Sequence, residues 1–151
     1  MVNIIRYEPR YQADFKRINV AWIQEAFAIE PHDLEQLDHP EIYILPNGGE
    51  ILLAEYQGEI IGTVAIVRTG AHEFELAKMG VSSSARGLGA GKILCHAAIE
   101  YARNAGAALL WLESNRKAVT AIHIYRAEGF VEKPMLPTPY ARADIRMELA
   151  F

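Results

Sequence analysis

Residues 75–113 read ELAKMGVSSSARGLGAGKILCHAAIEYARNAGAALLWLE: an apolar run, three glycines at 87, 89 and 91, a long apolar stripe, and a second apolar run. Ala90, Ile93, Leu94, Ala97, Tyr101, Ala102 and Ala105 recur at the 3.6-residue period, with Lys92, His96, Glu100 and Arg103 off the stripe. That spacing predicts a helix from Ala90 that stops at Gly106, flanked by the strands ELAKMGV and ALLWLE, hence a βαβ unit. Where a loop enters such a helix, the first backbone N–H groups have no intrahelical acceptor and the helix dipole favours an anion. Glycines at that point let a phosphate approach the backbone, and Arg86 beside them strengthens the reading.

Outward from this unit the order is mixed. NIIRYE reads as a first strand and residues 11–28 as a helix carrying Phe15, Ile18, Ala21, Trp22 and Ile23. PHDLEQLDHP, bounded by Pro31 and Pro40, reads as a short helix or loop. EILLAEYQGEIIGTVAIVR divides at Gln57 and Gly58 into a hairpin, and EFELAKMGV follows as a strand. Residues 117–128 form a last helix closed by Gly129, after which FVEKPM and ARADIRMELAF complete the sheet. The expectation is one α/β domain over residues 1–151, a size that supports a single core.

The single cysteine, Cys95, excludes an internal disulfide and any multi-cysteine metal site. His32 and His39 lie among acids, but their spacing matches no metal motif, so no metal is expected. No apolar run reaches the roughly 18 residues of a membrane span, and the charged start lacks a signal-peptide centre; a cytoplasmic protein without membrane contact is expected. A net charge of −4 argues against nucleic acid. Its distribution is uneven: residues 18–67 hold no Lys or Arg and nine acids, whereas residues 78–151 hold ten bases and six acids. The second half is therefore expected to meet an anion and the first half a cation.

Three glycine patterns can be set against these residues. A P-loop, GxxxxGK[ST], fails because Arg86 replaces its first glycine and Ile93 its hydroxyl. The dinucleotide pattern GxGxxG fits Gly87 and Gly89, with Glu113 as a ribose-binding acid, but Lys92 replaces the third glycine and too few residues follow for a two-half sheet. The pattern [QR]xxGx[GA] is met by Arg86, Gly89 and Gly91. With ELAKMGV before the turn and AIHIYRAEGF near the end, the chain resembles the GNAT superfamily of N-acetyltransferases over nearly its whole length, most clearly from Glu73 to Phe130.

The resemblance implies a mostly antiparallel sheet of about seven strands, splayed at its centre and flanked by about four helices. It implies acetyl-coenzyme A as co-substrate, with the pyrophosphate on the backbone of Arg86, Gly87, Leu88, Gly89, Ala90 and Gly91 and the pantetheine arm along Met79 and Val81. Lys78, Lys92, Arg116, Lys117 and Arg126 are available to the nucleotide phosphates. Tyr125 occupies the tyrosine of AxxxYxxxGF, counted from Ala121, and would protonate the departing thiolate; a phenol stays protonated near neutrality. Glu75 is the expected base, with a plain surface acid as the other reading and His72 and His123 as alternatives. Strand alternation puts Glu75, Ala77, Met79 and Val81 on one face unless a bulge intervenes. The amide of Val81 would meet the oxyanion.

Asn115 either reaches the pantetheine arm or caps the next helix. Cys95 lacks a His/Asp partner spacing, so direct attack by an amine is expected rather than a covalent route. The acceptor pocket would come from Trp22–Glu41 and Met135–Arg142, Trp22 and Tyr140 among its walls, and the acid-only segment suggests an amine-bearing small molecule or peptide. A non-catalytic coenzyme sensor and a Rossmann-type nucleotide protein are the alternatives; a homodimer is possible by analogy alone.

Overall fold

The structure, a computed structural model, describes residues 1–151. Seven strands, β1 (Asn3–Arg6), β2 (Glu50–Tyr56), β3 (Glu59–Gly70), β4 (Glu73–Val81), β5 (Leu109–Ser114), β6 (Val131–Lys133) and β7 (Ile145–Ala150), form one sheet in the order β1-β2-β3-β4-β5-β7-β6. Only β4 and β5 are parallel; the other neighbours run antiparallel. This excludes the Rossmann alternative, whose sheet is parallel on both sides of its crossovers. The β2–β3 turn falls at Gln57 and Gly58, both with positive φ, as a two-residue hairpin requires.

Helices cover both faces. The segment before β2 supplies α1 (Gln12–Ala26), α2 (Pro31–Asp38) and the four-residue α3 (Pro40–Tyr43); α4 (Ala90–Asn104) and α5 (Val119–Ala127) lie on the other side. Five helices thus stand where about four were expected, because Pro40 restarts the chain as a separate turn. The run ILLA of β2 is buried throughout because the strand faces both layers: Ile51 and Leu53 pack with Phe15, Leu37 and Ile44, whereas Leu52 and Ala54 pack with Leu94, Ala98 and Ile99. The closing strands are shorter than their apolar runs suggested, since the chain from Pro134 to Asp144 leaves the sheet as a loop.

Two irregularities at β4 prepare the site. Pairing with β5 is confined to Glu73–Leu109, Phe74–Leu110 and Glu75–Trp111, after which the strands part. On its other edge, Ala77 pairs with Ala65 but Gly80 with Thr63, so Lys78 and Met79 together oppose one residue of β3. Lys78 takes φ +50° at this bulge. The bulge is the exception allowed for in the alternation of Glu75, Ala77, Met79 and Val81, and these four do not share a face. Ala77 packs with the α1 layer, whereas Met79 and Val81 pack with the α4 layer. Gly80 then faces α1, where a Cβ would stand 2.1 Å from Trp22 Cδ1. A buried chain of bonds holds this arrangement: Trp22 Nε1 donates to Asn19 Oδ1 (2.7 Å), Asn19 Nδ2 to Thr63 Oγ1 (3.0 Å), and Thr63 Oγ1 to the Lys78 carbonyl (2.9 Å).

Candidate active site

The gap between β4 and β5 opens onto two adjoining spaces. The first is a cleft of about 580 Å³ over the glycine turn, lined by Met79, Val81, Arg86, Gly87, Gly89, Ala90, Gly91, Lys92 and residues 117–121 of the α5 entry. Gly87 (φ +89°) and Gly89 (φ +73°) adopt left-handed conformations, and Gly89 caps α4 with no side chain to occupy the orphan amides. The Ile93 N–H is bonded to Gly89 O at 3.1 Å, and the amides of Ala90, Gly91 and Lys92 before it have no intrahelical acceptor. Gly91 serves differently: a Cβ there would lie 3.1 Å from Ile124 Cδ1, so glycine sets the close approach of α4 and α5. Leu88 is partly exposed at the tip of the turn.

Of the five cations proposed for phosphates, Lys92 and Lys117 line this cleft. Arg116 and Arg126 pair with Glu132, at 2.5 and 3.6 Å, and Lys78 is buried elsewhere. Arg86 reaches Glu25 on α1 at 3.0 Å, tying the turn to the opposite helical layer.

The second space is a cavity of about 130 Å³ whose lining includes Trp22, Phe27, Glu75, Lys78, Glu113, Tyr125, Tyr140 and Arg142. Trp22, Met79, Ala118 and Ala121 belong to both spaces, so the cavity opens onto the cleft at the bulge. Tyr125 is 6% exposed, with its ring edge-on to Phe130 at 5.8 Å. Burial, with a contribution from Cys95, raises its phenol well above the ordinary range, so it stays protonated near neutrality. Burial likewise lifts the Glu75 carboxyl to about 7; Glu113 adds to the rise, while Lys78 and Arg146 oppose it. No hydrogen bond or ion pair engages the Glu75 side chain, and the residue is half-buried in the cavity wall.

Beside Glu75 lies an ion cluster that no local pattern in the sequence marks. Asp33, wholly buried on α2, receives Lys78 Nζ at 2.9 Å and Arg142 Nη1 and Nη2 at 2.7 and 2.6 Å. Burial alone would raise the Asp33 carboxyl, but the bonds from Arg142 and Lys78 hold it at about 2. Lys78 Nζ also donates to Tyr140 Oη at 2.8 Å, and Arg142 reaches Glu30 at 3.3 Å. The cluster locks α2 and the loop before β7 onto the bulged strand. Its only trace in the sequence is the opposition between an acid-only first segment and a basic second half.

Asn115 lines the cavity, but its side chain is committed: Nδ2 donates to Arg142 O (2.7 Å) and Asp144 Oδ2 (3.3 Å), and Oδ1 accepts from Lys117 N–H (2.8 Å). The N-cap of α5 is Ala118, without a side-chain bond, so Asn115 does not cap that helix. His72 and His123 are exposed outside both spaces, and no group of three or more His, Cys, Asp or Glu side chains gathers as a metal site. Cys95 is buried, and burial together with Glu128 lifts its thiol to about 12, the opposite of an activated nucleophile.

A seven-stranded sheet splayed beside a glycine-headed helix is the fold that this chain shares with solved acetyltransferases. Residues 14–130 match the sequence model of the Acetyltransferase (GNAT) family, and the chain belongs to that family. An acetyltransferase of the GNAT family from Staphylococcus aureus Mu50 superposes with a TM-score of 0.89 at 23% identity, covering 99% of each chain. An acetyltransferase from Salmonella typhimurium, solved with its cofactor acetyl-CoA, superposes with a TM-score of 0.76 at 18% identity over 99% of this chain and 94% of that one. An uncharacterised N-acetyltransferase of Mycobacterium bovis is 32% identical over 88 residues, 58% of this chain and 56% of that protein. The chain thus spans about half the length of the curated relatives it matches. No helix is long and apolar enough to cross a membrane.

Proposed function

We propose that the protein transfers the acetyl group of acetyl-coenzyme A to a primary amine of a small molecule or peptide, by direct attack in a ternary complex. The observation that carries this reading is the junction at Met79: a cleft over uncapped helix amides meets a cavity holding an unpaired Glu75 and a protonated Tyr125. The glycine turn fits a diphosphate. The amides of residues 86–91 supply donors, Lys92 and Lys117 supply charge, and the missing side chains at 87 and 89 leave the backbone bare. Met79 and Val81 border the path from turn to cavity and would hold the pantetheine arm, with Ala121 on the facing helix.

Each step then has a residue. Glu75 takes a proton from the bound ammonium, which its carboxyl can do near neutrality because burial has brought it to about 7. The freed amine attacks the thioester carbon, and the amide of Val81 meets the charge that develops on the oxygen. As the C–S bond breaks, the Tyr125 hydroxyl gives its proton to the sulfur; the nitrogen sheds its second proton to solvent to leave a neutral amide, and the Tyr125 phenolate is restored from the proton held at Glu75 through water. A phenol raised by burial remains a donor throughout the working pH range.

Calorimetry and thermal shift with acetyl-coenzyme A against NAD test the cofactor first: binding of the former alone supports the reading, and no heat with coenzyme A overturns it. Release of coenzyme A with a panel of amines tests the transfer. A sensor without turnover would bind but release nothing.

A further inference from the structure

The cations of the acceptor cavity are already satisfied by carboxylates of the fold. Lys78 is held by Asp33 at 2.9 Å and Arg142 by Asp33 and Glu30 at 2.6 and 3.3 Å. Arg146 stands opposite Glu113 in the β5–β7 ladder, but its Nε donates to Glu148 at 3.0 Å and its guanidinium lies 4.3 Å from the centre of the Trp111 ring. Lys117 lines the cofactor cleft and not this cavity. Two carboxyls remain: Glu75, with no partner, and Glu113, which accepts a single bond from Thr138 Oγ1 at 2.8 Å and joins no ion pair. The remaining walls include the rings of Trp22, Phe27 and Tyr140.

Such a cavity recognises one sign of charge. An ammonium would find Glu75 and Glu113 facing it, whereas a carboxylate on the same ligand would be buried beside these two acids, with Lys78 and Arg142, the cations that line the cavity, already committed. The volume of about 130 Å³ is small beside the roughly 300–1,000 Å³ of pockets for drug-sized ligands. Resting on the acetyltransferase reading above, we propose that the acceptor is a small amine with no acidic group near its nitrogen, and that the cavity discriminates against the corresponding α-amino acids.

Matched pairs test this with the full chain and acetyl-coenzyme A: phenethylamine against phenylalanine, tyramine against tyrosine, and agmatine against arginine, each read as kcat/KM for coenzyme A release. The amine is expected to exceed its carboxylated partner by about 100-fold or more, the scale set by burying an unpaired polar group. Phenylalanine methyl ester, which keeps the bulk and removes the charge, is expected to recover most of that loss. In Glu113→Gln the ratio between partners is expected to shrink. Equal or preferred use of the amino acids, or an ester as poor as the acid, overturns the inference. Binding of acetyl-coenzyme A with turnover of none of these amines overturns it too while leaving the cofactor reading intact; absence of that binding removes both.

Discussion

At Tyr125 and Glu75 the same physical cause, burial, has opposite chemical effects. Raising a phenol keeps a proton on a group that already held one, whereas raising a carboxyl to about 7 turns a permanent anion into a group that exchanges its proton near neutrality. Tyr125→Phe is therefore expected to lower kcat by roughly 10²–10³-fold while calorimetry shows coenzyme binding within about twofold of the parent. For Glu75 the active form is the anion, so kcat/KM should climb about tenfold per pH unit below about 7 and level off above it. Glu75→Gln should abolish that limb along with most of the activity.

The same residue has a stability consequence. Its folded carboxyl titrates above the unfolded value of 4.5, so ionisation opposes folding, and stability falls as pH rises from about 4.5 to about 7. Glu75→Gln is expected to unfold at higher denaturant than the parent at pH 8, by about 2–3 kcal/mol, with little difference at pH 4. A variant that loses both activity and stability at pH 8 would mean that Glu75 is structural.

Among the elements, β4 matters most because it departs from ideal strand geometry twice. The split from β5 makes room for ligands, and the bulge turns Met79 and Val81 towards α4 while aiming Lys78 at α2. A lysine at φ +50° is strained, and the bonds of its ammonium to Asp33 and Tyr140 with that of its carbonyl to Thr63 hold it there. Gly80 completes the device by admitting Trp22 against the strand. Gly80→Ala is expected to cost about 1–3 kcal/mol in denaturant unfolding, because the Trp22 ring must shift, and to raise both the acceptor KM and the coenzyme KM, since Trp22 borders the cavity and the cleft alike. Unchanged values of both constants would argue against that placement.

For the molecule as a whole, the Asp33 cluster joins segments more than a hundred residues apart and braces the wall of the cavity beside Glu75. Asp33 is depressed from 3.8 to about 2, so its contribution is complete above the unfolded value and disappears as pH falls through about 4 to 2. The expected contribution is about 2 kcal/mol, read as an acid limb in unfolding free energy that Asp33→Asn lacks. That variant should also be less stable at pH 7, because Lys78 and Arg142 lose their shared partner.

The local features were legible in the residues. A helix beginning at Ala90, a two-residue turn at Gln57–Gly58 and glycines at 87, 89 and 91 depend on a few positions through backbone torsion and periodicity, and each lies where its pattern put it; the buried face of α4, however, is Ala90, Leu94, Cys95, Ala98, Ile99 and Ala102, with Ile93 and Ala105 of the expected stripe exposed. Glu75 and Tyr125 came from a motif and a strand position, and they line one cavity. That a bulge could interrupt the strand was legible, but its place at Lys78 and Met79 was not, because the register shift is held by Thr63 and Asp33 meeting Lys78 across the sheet and not by the letters around Lys78. Nor was the fate of the charges. Sequence recorded an acidic segment and a basic half; only folding showed that Glu30 and Asp33 are consumed by Arg142 and Lys78, leaving Glu75 and Glu113 free. The physical reason is range: torsion and periodicity are properties of neighbours along the chain, whereas pairing of buried charge depends on which distant segments the fold brings within about 3 Å.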